Sequence, residues 1–192
     1  VALAERDAGP IERPVDYGCI WGDARAVLAE RRPDLRIVNL ETAVTTRSTP
    51  WPNKGIHYRM HPQNMPALTA AGIDCCVLAN NHVLDWGRPG LADTLTALRR
   101  AGIATAGAGS DAQAAAAPAR LTAPALPDGG RVLIFAVGVG SSGIPEDWTA
   151  TAEQAGVNRI DELSDAVADR IAARIHAVRA PADLALLSIH WG

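Results

Sequence analysis

Long apolar runs are missing from this sequence. No stretch approaches the roughly 20 residues needed to span a bilayer, and the first residues lack the basic-then-apolar order of a secretory leader. The residues given therefore read as a soluble chain without a transmembrane segment, expected to be cytoplasmic as given. Cysteine is scarce: Cys19, Cys75 and Cys76 are the only three, with no Cys-x-x-Cys spacing for a thiolate metal site. The adjacent pair would alternate across a strand, and all three are expected to be buried, reduced core residues. Lysine is scarcer still, since Lys54 stands alone and the other basic residues are Arg. With a formal net charge of -3 and no basic stripe, nucleic acid is not expected as a partner. An anionic or peptide substrate stays open, because a bound metal supplies local positive charge.

What is present suits one α/β domain over residues 1–192: 48% hydrophobic and 20% charged residues give neither a disordered nor a coiled-coil composition. The densest chemistry lies in Leu78-Ala79-Asn80-Asn81-His82-Val83-Leu84-Asp85-Trp86-Gly87. The preceding Ile73 to Ala79 reads as a short buried strand, and Gly90 to Arg100 repeats Leu91, Leu95 and Leu98 at helical spacing. Asn80 to Gly87 is thus a strand-to-helix loop, and in open α/β sheets such loops border the ligand crevice. Amide oxygen, imidazole and carboxylate together suit a hard or borderline divalent cation. The plainer alternative is a turn in which Asp85 caps the helix.

Other strand ends add to this group. Val1 to Tyr17 reads as a partly ordered lead-in, and a helix follows Asp23 with Ala24, Val27 and Leu28 on one face until Pro33 stops it. Leu35 to Glu41 is a strand ending in a carboxylate, and a loop from Thr45 to Gly55 follows. Ile56 to Met60 is a possible brief strand; Pro62 starts a short helix that closes at Gly72. Lys54 or Arg59 would meet an anionic substrate, whereas His57 and His61 read as loop residues. Gly102 to Gly107 gives another strand and turn, and Asp111 to Ala119 a short Ala-rich helix.

Arg131 to Val137 is the clearest apolar strand, running into Gly138-Val139-Gly140-Ser141-Ser142-Gly143. That spacing fits a dinucleotide fingerprint, but no helix opens within the glycines and no acid-ended strand follows at the proper distance. A loop over Gly138 to Gly143 near the active site is the better reading. Leu163, Val167, Ile171, Ile175 and Val178 mark a long helix capped by Asp161 or Ser164, and Asp183 to His190 makes a final strand. A carboxylate alone at a strand end is ordinarily solvated and a lone His there ordinarily structural. Glu41, Asn81-His82 and His190 at the ends of three strands point together to a shared site.

Asn39-Leu40-Glu41-Thr42, the loop Ala79 to Gly87, and Ile189-His190-Trp191-Gly192 resemble the CapA family, bacterial capsule and poly-gamma-glutamate synthesis proteins related to calcineurin-like metallophosphoesterases. Weaker likeness runs through Tyr17 to Asp23, Lys54 to Arg59, Gly107 to Gly109 and Ser141 to Trp148. The resemblance implies part of a four-layer α/β/β/α sandwich with divalent metal, one or two ions of Mn, Fe, Zn or Mg, at one end of its sheets. It also implies metal ligation by Glu41, Asn81 and His190, and proton handling by His82 with Asp85 orienting it. Asn39, Lys54, Arg59, Ser141 and Ser142 are expected beside the substrate. The family's first strand, with its metal-binding Asp, and its elements beyond His-Trp-Gly find no match here, so the chain is expected to be an internal portion of a CapA-like domain lacking N- and C-terminal strands. The implied activity is hydrolytic or acid/base chemistry on a phosphoester, peptide or poly-gamma-glutamate substrate. Peptide epimerisation is one alternative, and a non-catalytic assembly component or an inactive fragment is another.

Overall fold

The computed structural model describes residues 5–7, 9–11 and 13–192, so part of the expected lead-in falls outside the described residues. Its first sheet is parallel, in the order β1 (Ile37–Asn39), β4 (Cys75–Val77), β5 (Ala104–Ala106). Parallel neighbours need crossover connections. Between β1 and β4 the chain forms the parallel pair β2 (Ala43–Val44) and β3 (Arg59–Met60), then helix α2 (Pro66–Ala70), after the earlier α1 (Ala24–Arg31). Gly72, at φ +63, makes the left-handed turn that ends this crossover. From β4 to β5 the connection is α3 (Gly87–Arg100), whose Leu91 and Leu98 are fully buried. Each such burial stabilises by about 1.5–3 kcal/mol. Asn39 pairs with Val77 in register, so the segments following β1 and β4 emerge at one end of the sheet. That places Glu41 and Asn80-Asn81 together.

The second sheet is built on β8 (Arg131–Val139), buried from Val132 onward. The parallel β11 (Leu184–His190) covers one edge over nearly its whole length. The other edge is shared: antiparallel β7 (Ala119–Thr122) pairs with Arg131 to Ile134, and parallel β10 (Arg159–Ile160) pairs with Gly138 and Val139. In the gap between them the Asn158 side-chain amide donates to Ala136 O at 2.8 Å, supplying a donor that no strand provides. A short antiparallel pair, β6 (Ala108–Gly109) with β9 (Gly156–Val157), and helix α4 (Ala112–Ala116) flank this sheet, and Asp111 caps α4 by accepting from Ala114 N at 2.8 Å. The sheets meet where β5 contacts β7 and β8. Gly107 lies in that seam at φ +92, and a Cβ there would fall 2.6 Å from Ala79 Cβ and 2.8 Å from Ala136 Cβ.

Several expectations are corrected. Gly138 and Val139 continue β8 instead of opening a loop, because Gly138 pairs with His190 and its N–H reaches Asn158 O. Only Gly140–Ser142 forms the expected turn. Cys75 and Cys76 are buried, with their thiols pushed up to about 12 chiefly by burial, but Cys19 is exposed. Val27 on α1 is exposed, so that helix buries no apolar face. Helix α5 (Asp165–Val178) forms as expected, with Ser164 at its N-cap position but without a side-chain capping bond, and Val167 is its one buried residue. β7, β9 and β10 carry no signal used above. The architecture is mixed α/β with several sheets and helices, and no helix among the described residues is long and apolar enough to cross a membrane.

Candidate active site

Asn80 organises the loop after β4. Fully buried, it accepts the His82 N–H on Oδ1 at 3.0 Å, an Asx turn, and donates through Nδ2 to Leu40 O and Asn39 Oδ1, both at 3.0 Å. One side chain thus fixes the loop's curvature and ties it to the end of β1. Asn39 in turn donates to Glu41 Oε2 at 3.0 Å. The half-buried Glu41 carboxylate is therefore linked through two amides to the turn that presents His82.

Asp85 is fully buried and serves four partners. Its Oδ2 lies 2.7 Å from His82 Nδ1 and accepts the Tyr58 N–H at 2.6 Å; its Oδ1 lies 2.8 Å from Lys54 Nζ; its backbone oxygen accepts the Trp51 N–H at 2.7 Å. Oδ1 has no hydrogen bond of good angle, so Lys54 meets it as an ion pair. The helix-cap alternative is thereby answered: Trp86 occupies the N-cap position of α3 without a side-chain capping bond, and the Asp85 carboxylate turns to the imidazole. This contact holds the imidazole by its Nδ1 edge and leaves Nε2 on the opposite side of the ring. The Tyr58 ring stacks on the imidazole, centroids 4.1 Å apart and 25° between planes. Lys54 Nζ also donates to Ile56 O at 3.1 Å and lies 3.2 Å from His82 Nδ1.

The next residue, Asn81, has a buried Oδ1 with no hydrogen-bond partner among the described residues. Such an orphan costs about 1–3 kcal/mol unless something satisfies it. The glycine turn lies beside it, since a Cβ on Gly143 would sit 3.5 Å from Asn81 Nδ2. In that turn Ser142 Oγ donates to Val139 O at 2.7 Å and Ser141 is exposed. His190, half-buried at the end of β11, pairs in register with Gly138, whose own Cβ position is 3.0 Å from Ala79 O. Arg59 is exposed, donates to Arg47 O at 2.6 Å and holds its guanidinium 4.3 Å from the Trp86 ring centroid.

Amide oxygen, carboxylate and imidazole are a fitting donor set for a hard or borderline cation, and the orphaned Asn81 Oδ1 is the feature that asks for one. No group of three His, Cys, Asp or Glu side chains converges on a metal position among the described residues. The structure links Asn39 and Glu41 to His82, Asp85 and Lys54 by a run of contacts that passes through Asn80, sets Asn81 against the glycine turn, and relates His190 to them by strand register alone. Sequence reasoning missed Asn80, Trp51 and Tyr58. An Asn two residues before the His was a legible Asx-turn signal; the Tyr58 stack, formed with a residue 24 positions away, was not.

A site of this kind, a polar loop cluster at the carboxyl end of a parallel sheet, can hold a proton on a fixed imidazole one residue from an unpartnered amide oxygen. The chain belongs to the bacterial capsule synthesis protein family PGA_cap, which it matches over residues 2–192, as the CapA resemblance implied. It is 45% identical, over 193 aligned residues, to a probable polyglutamine synthesis accessory protein of Mycobacterium tuberculosis, found alike in strains CDC 1551 and H37Rv. That alignment takes in 100% of this chain and 50% of the relative, so the chain spans about half the length of these curated relatives. An uncharacterized protein of Sinorhizobium fredii is 35% identical over 113 residues, which is 56% of this chain and 24% of that protein.

Proposed function

We propose that this chain carries a metal-assisted acid/base centre of metallophosphoesterase type, set in a four-layer sandwich, that acts on a carboxylate-rich peptide such as a poly-glutamate chain during capsule synthesis. The observation that carries it is the buried, unpartnered Asn81 Oδ1 directly preceding a His82–Asp85 pair. Family membership and the relative's name support the link to capsule or poly-glutamate synthesis. Asn81 Oδ1, with Glu41 and His190, would hold a divalent cation, Mn, Fe, Zn or Mg. Such an ion supplies Lewis acidity and stabilises negative charge on a reacting oxygen.

The chain's own residues do the rest. His82, its tautomer set by Asp85, exchanges a proton at Nε2 with the substrate or leaving group. Arg59, Asn39, Ser141 and Ser142 meet the substrate's polar and anionic groups. Hydrolysis and epimerisation share this machinery and differ in which proton His82 takes. A non-catalytic assembly role is the second reading, favoured by the word "accessory" in the relative's name.

Calorimetric titration with manganese and zinc tests the centre. The chain should bind at least one ion, and Asn81→Ala or Glu41→Ala should weaken binding by about 10-fold or more, 10-fold being the low end of the roughly 10 to 100-fold that accompanies removal of an outer-shell partner. Equal affinity in all three proteins would rule the ligand assignment out. Release of glutamate from a gamma-linked oligomer, absent in His82→Ala, separates the enzyme from the assembly component.

A further inference from the structure

Lys54 is the chain's single lysine, and its ammonium is turned inward. Its side chain is 15% exposed, and its Nζ lies 2.8 Å from Asp85 Oδ1, 3.1 Å from Ile56 O and 3.2 Å from His82 Nδ1. The Trp148 ring centroid lies 5.8 Å away on a further side. The ammonium is thus largely enclosed by groups of this chain.

The contact with His82 is the informative one. Nδ1 cannot accept from Lys54 and donate to Asp85 Oδ2 at once, and 2.7 Å between a bare ring nitrogen and a carboxylate oxygen would oppose two lone pairs. Two states fit that distance: an ionised Asp85 accepting from Nδ1–H, and a protonated Asp85 donating to a bare Nδ1. A fully buried carboxylate stays ionised only with a partner cation, and Lys54 is the cation in contact with Asp85. Without it, a protonated Asp85 would donate to Nδ1 and drive the ring hydrogen to Nε2.

We propose that Lys54 is a positioning residue that, by keeping Asp85 ionised and oriented, holds His82 as the Nδ1–H tautomer with Nε2 bare. This rests on reading His82 as the proton-handling group, yet it predicts a state of the ligand-free protein that can be measured whether or not any substrate is turned over.

The test is long-range proton–nitrogen correlation NMR on histidine-labelled chain at neutral pH, with His82→Gln identifying the His82 signals among five histidines. The ring should be Nδ1–H in the unaltered chain and in Lys54→Arg, whose guanidinium can still pair with the carboxylate. In Lys54→Met the nitrogen shifts should exchange, Nε2–H becoming the major form. A folded Lys54→Met that keeps the Nδ1–H tautomer would overturn the proposal, and so would an Nε2–H ring in the unaltered chain, which is decisive even if Lys54→Met fails to fold. Loss of metal binding or of glutamate release with an intact tautomer pattern would count against the proposed function and leave this assignment standing.

Discussion

Asp85 shows how one side chain can replace a hydrophobic anchor. Its carboxylate meets Lys54, Tyr58 and His82 and its backbone oxygen meets Trp51, so one polar residue joins the long loop to the β4–α3 turn. At the same scale the cysteines separate by environment. Cys75 and Cys76 alternate across β4 with no accessible surface, and burial raises both thiols to about 12, which removes the reactive thiolate near neutral pH. A disulfide-exchange reagent should therefore titrate one thiol, Cys19, quickly in the native chain and the remaining two only in denaturant. Cys19→Ser should abolish the fast phase. Three equivalent fast thiols would show that β4 is not buried as described.

At the scale of elements, the seam between the sheets leaves no room at Gly107. Gly107→Ala puts a Cβ within 3 Å of Ala79 and Ala136 while forcing φ +92 on an L residue, so it should cost about 2–4 kcal/mol, combining overpacking with backbone strain. Urea unfolding measures it, and a change below about 0.5 kcal/mol would deny the close approach. Much of this architecture was legible. β4, β8, α3, α5 and β11 each satisfy a local pattern, and local patterns survive in one dimension. β7 did not show, because Ala119 to Thr122 contains Arg120 and Thr122 beside an Ala-rich helix and becomes a strand only by pairing with β8. Gly138 was misread for the same reason: its strand conformation comes from His190 and Asn158, 52 and 20 positions further along. In the site, the polar residue types and their strand-end positions were readable, while the inward turn of Lys54 and the stacking of Tyr58 depend on a loop path that no periodicity encodes.

For the whole molecule, the start of β8 is fastened to the turn before β11 by Arg131 and Asp183. The nearly buried Asp183 carboxylate accepts from Arg131 N at 2.9 Å, from Arg131 Nη2 at 2.7 Å and from Ala180 N at 3.0 Å, and these bonds, the Arg131 side chain first, hold its pKa well below the usual carboxylate range. A carboxyl depressed in the folded state stabilises the fold at every pH above its unfolded value of about 3.9, and that contribution fades as pH falls further. Melting temperatures of the unaltered chain and Asp183→Asn should hence differ most near neutrality and converge below about pH 4. A gap that widens toward acid would reverse the sign and refute the linkage. The loop held by Asp85 carries one more implication, for chain length. Trp51 gives its N–H to the backbone oxygen of that one residue and Tyr58 gives its own to the carboxylate, with Lys54 reaching the carboxylate from between them, so the spacing of these three positions is set by the geometry of a single residue. An added residue between Trp51 and Tyr58 would pull at least one of the three off Asp85, whereas the exposed Thr46 to Pro50 stretch just before them can lengthen at only the small cost of a longer closed loop. Related chains that preserve this centre should therefore differ in length before Trp51 and hardly at all after it.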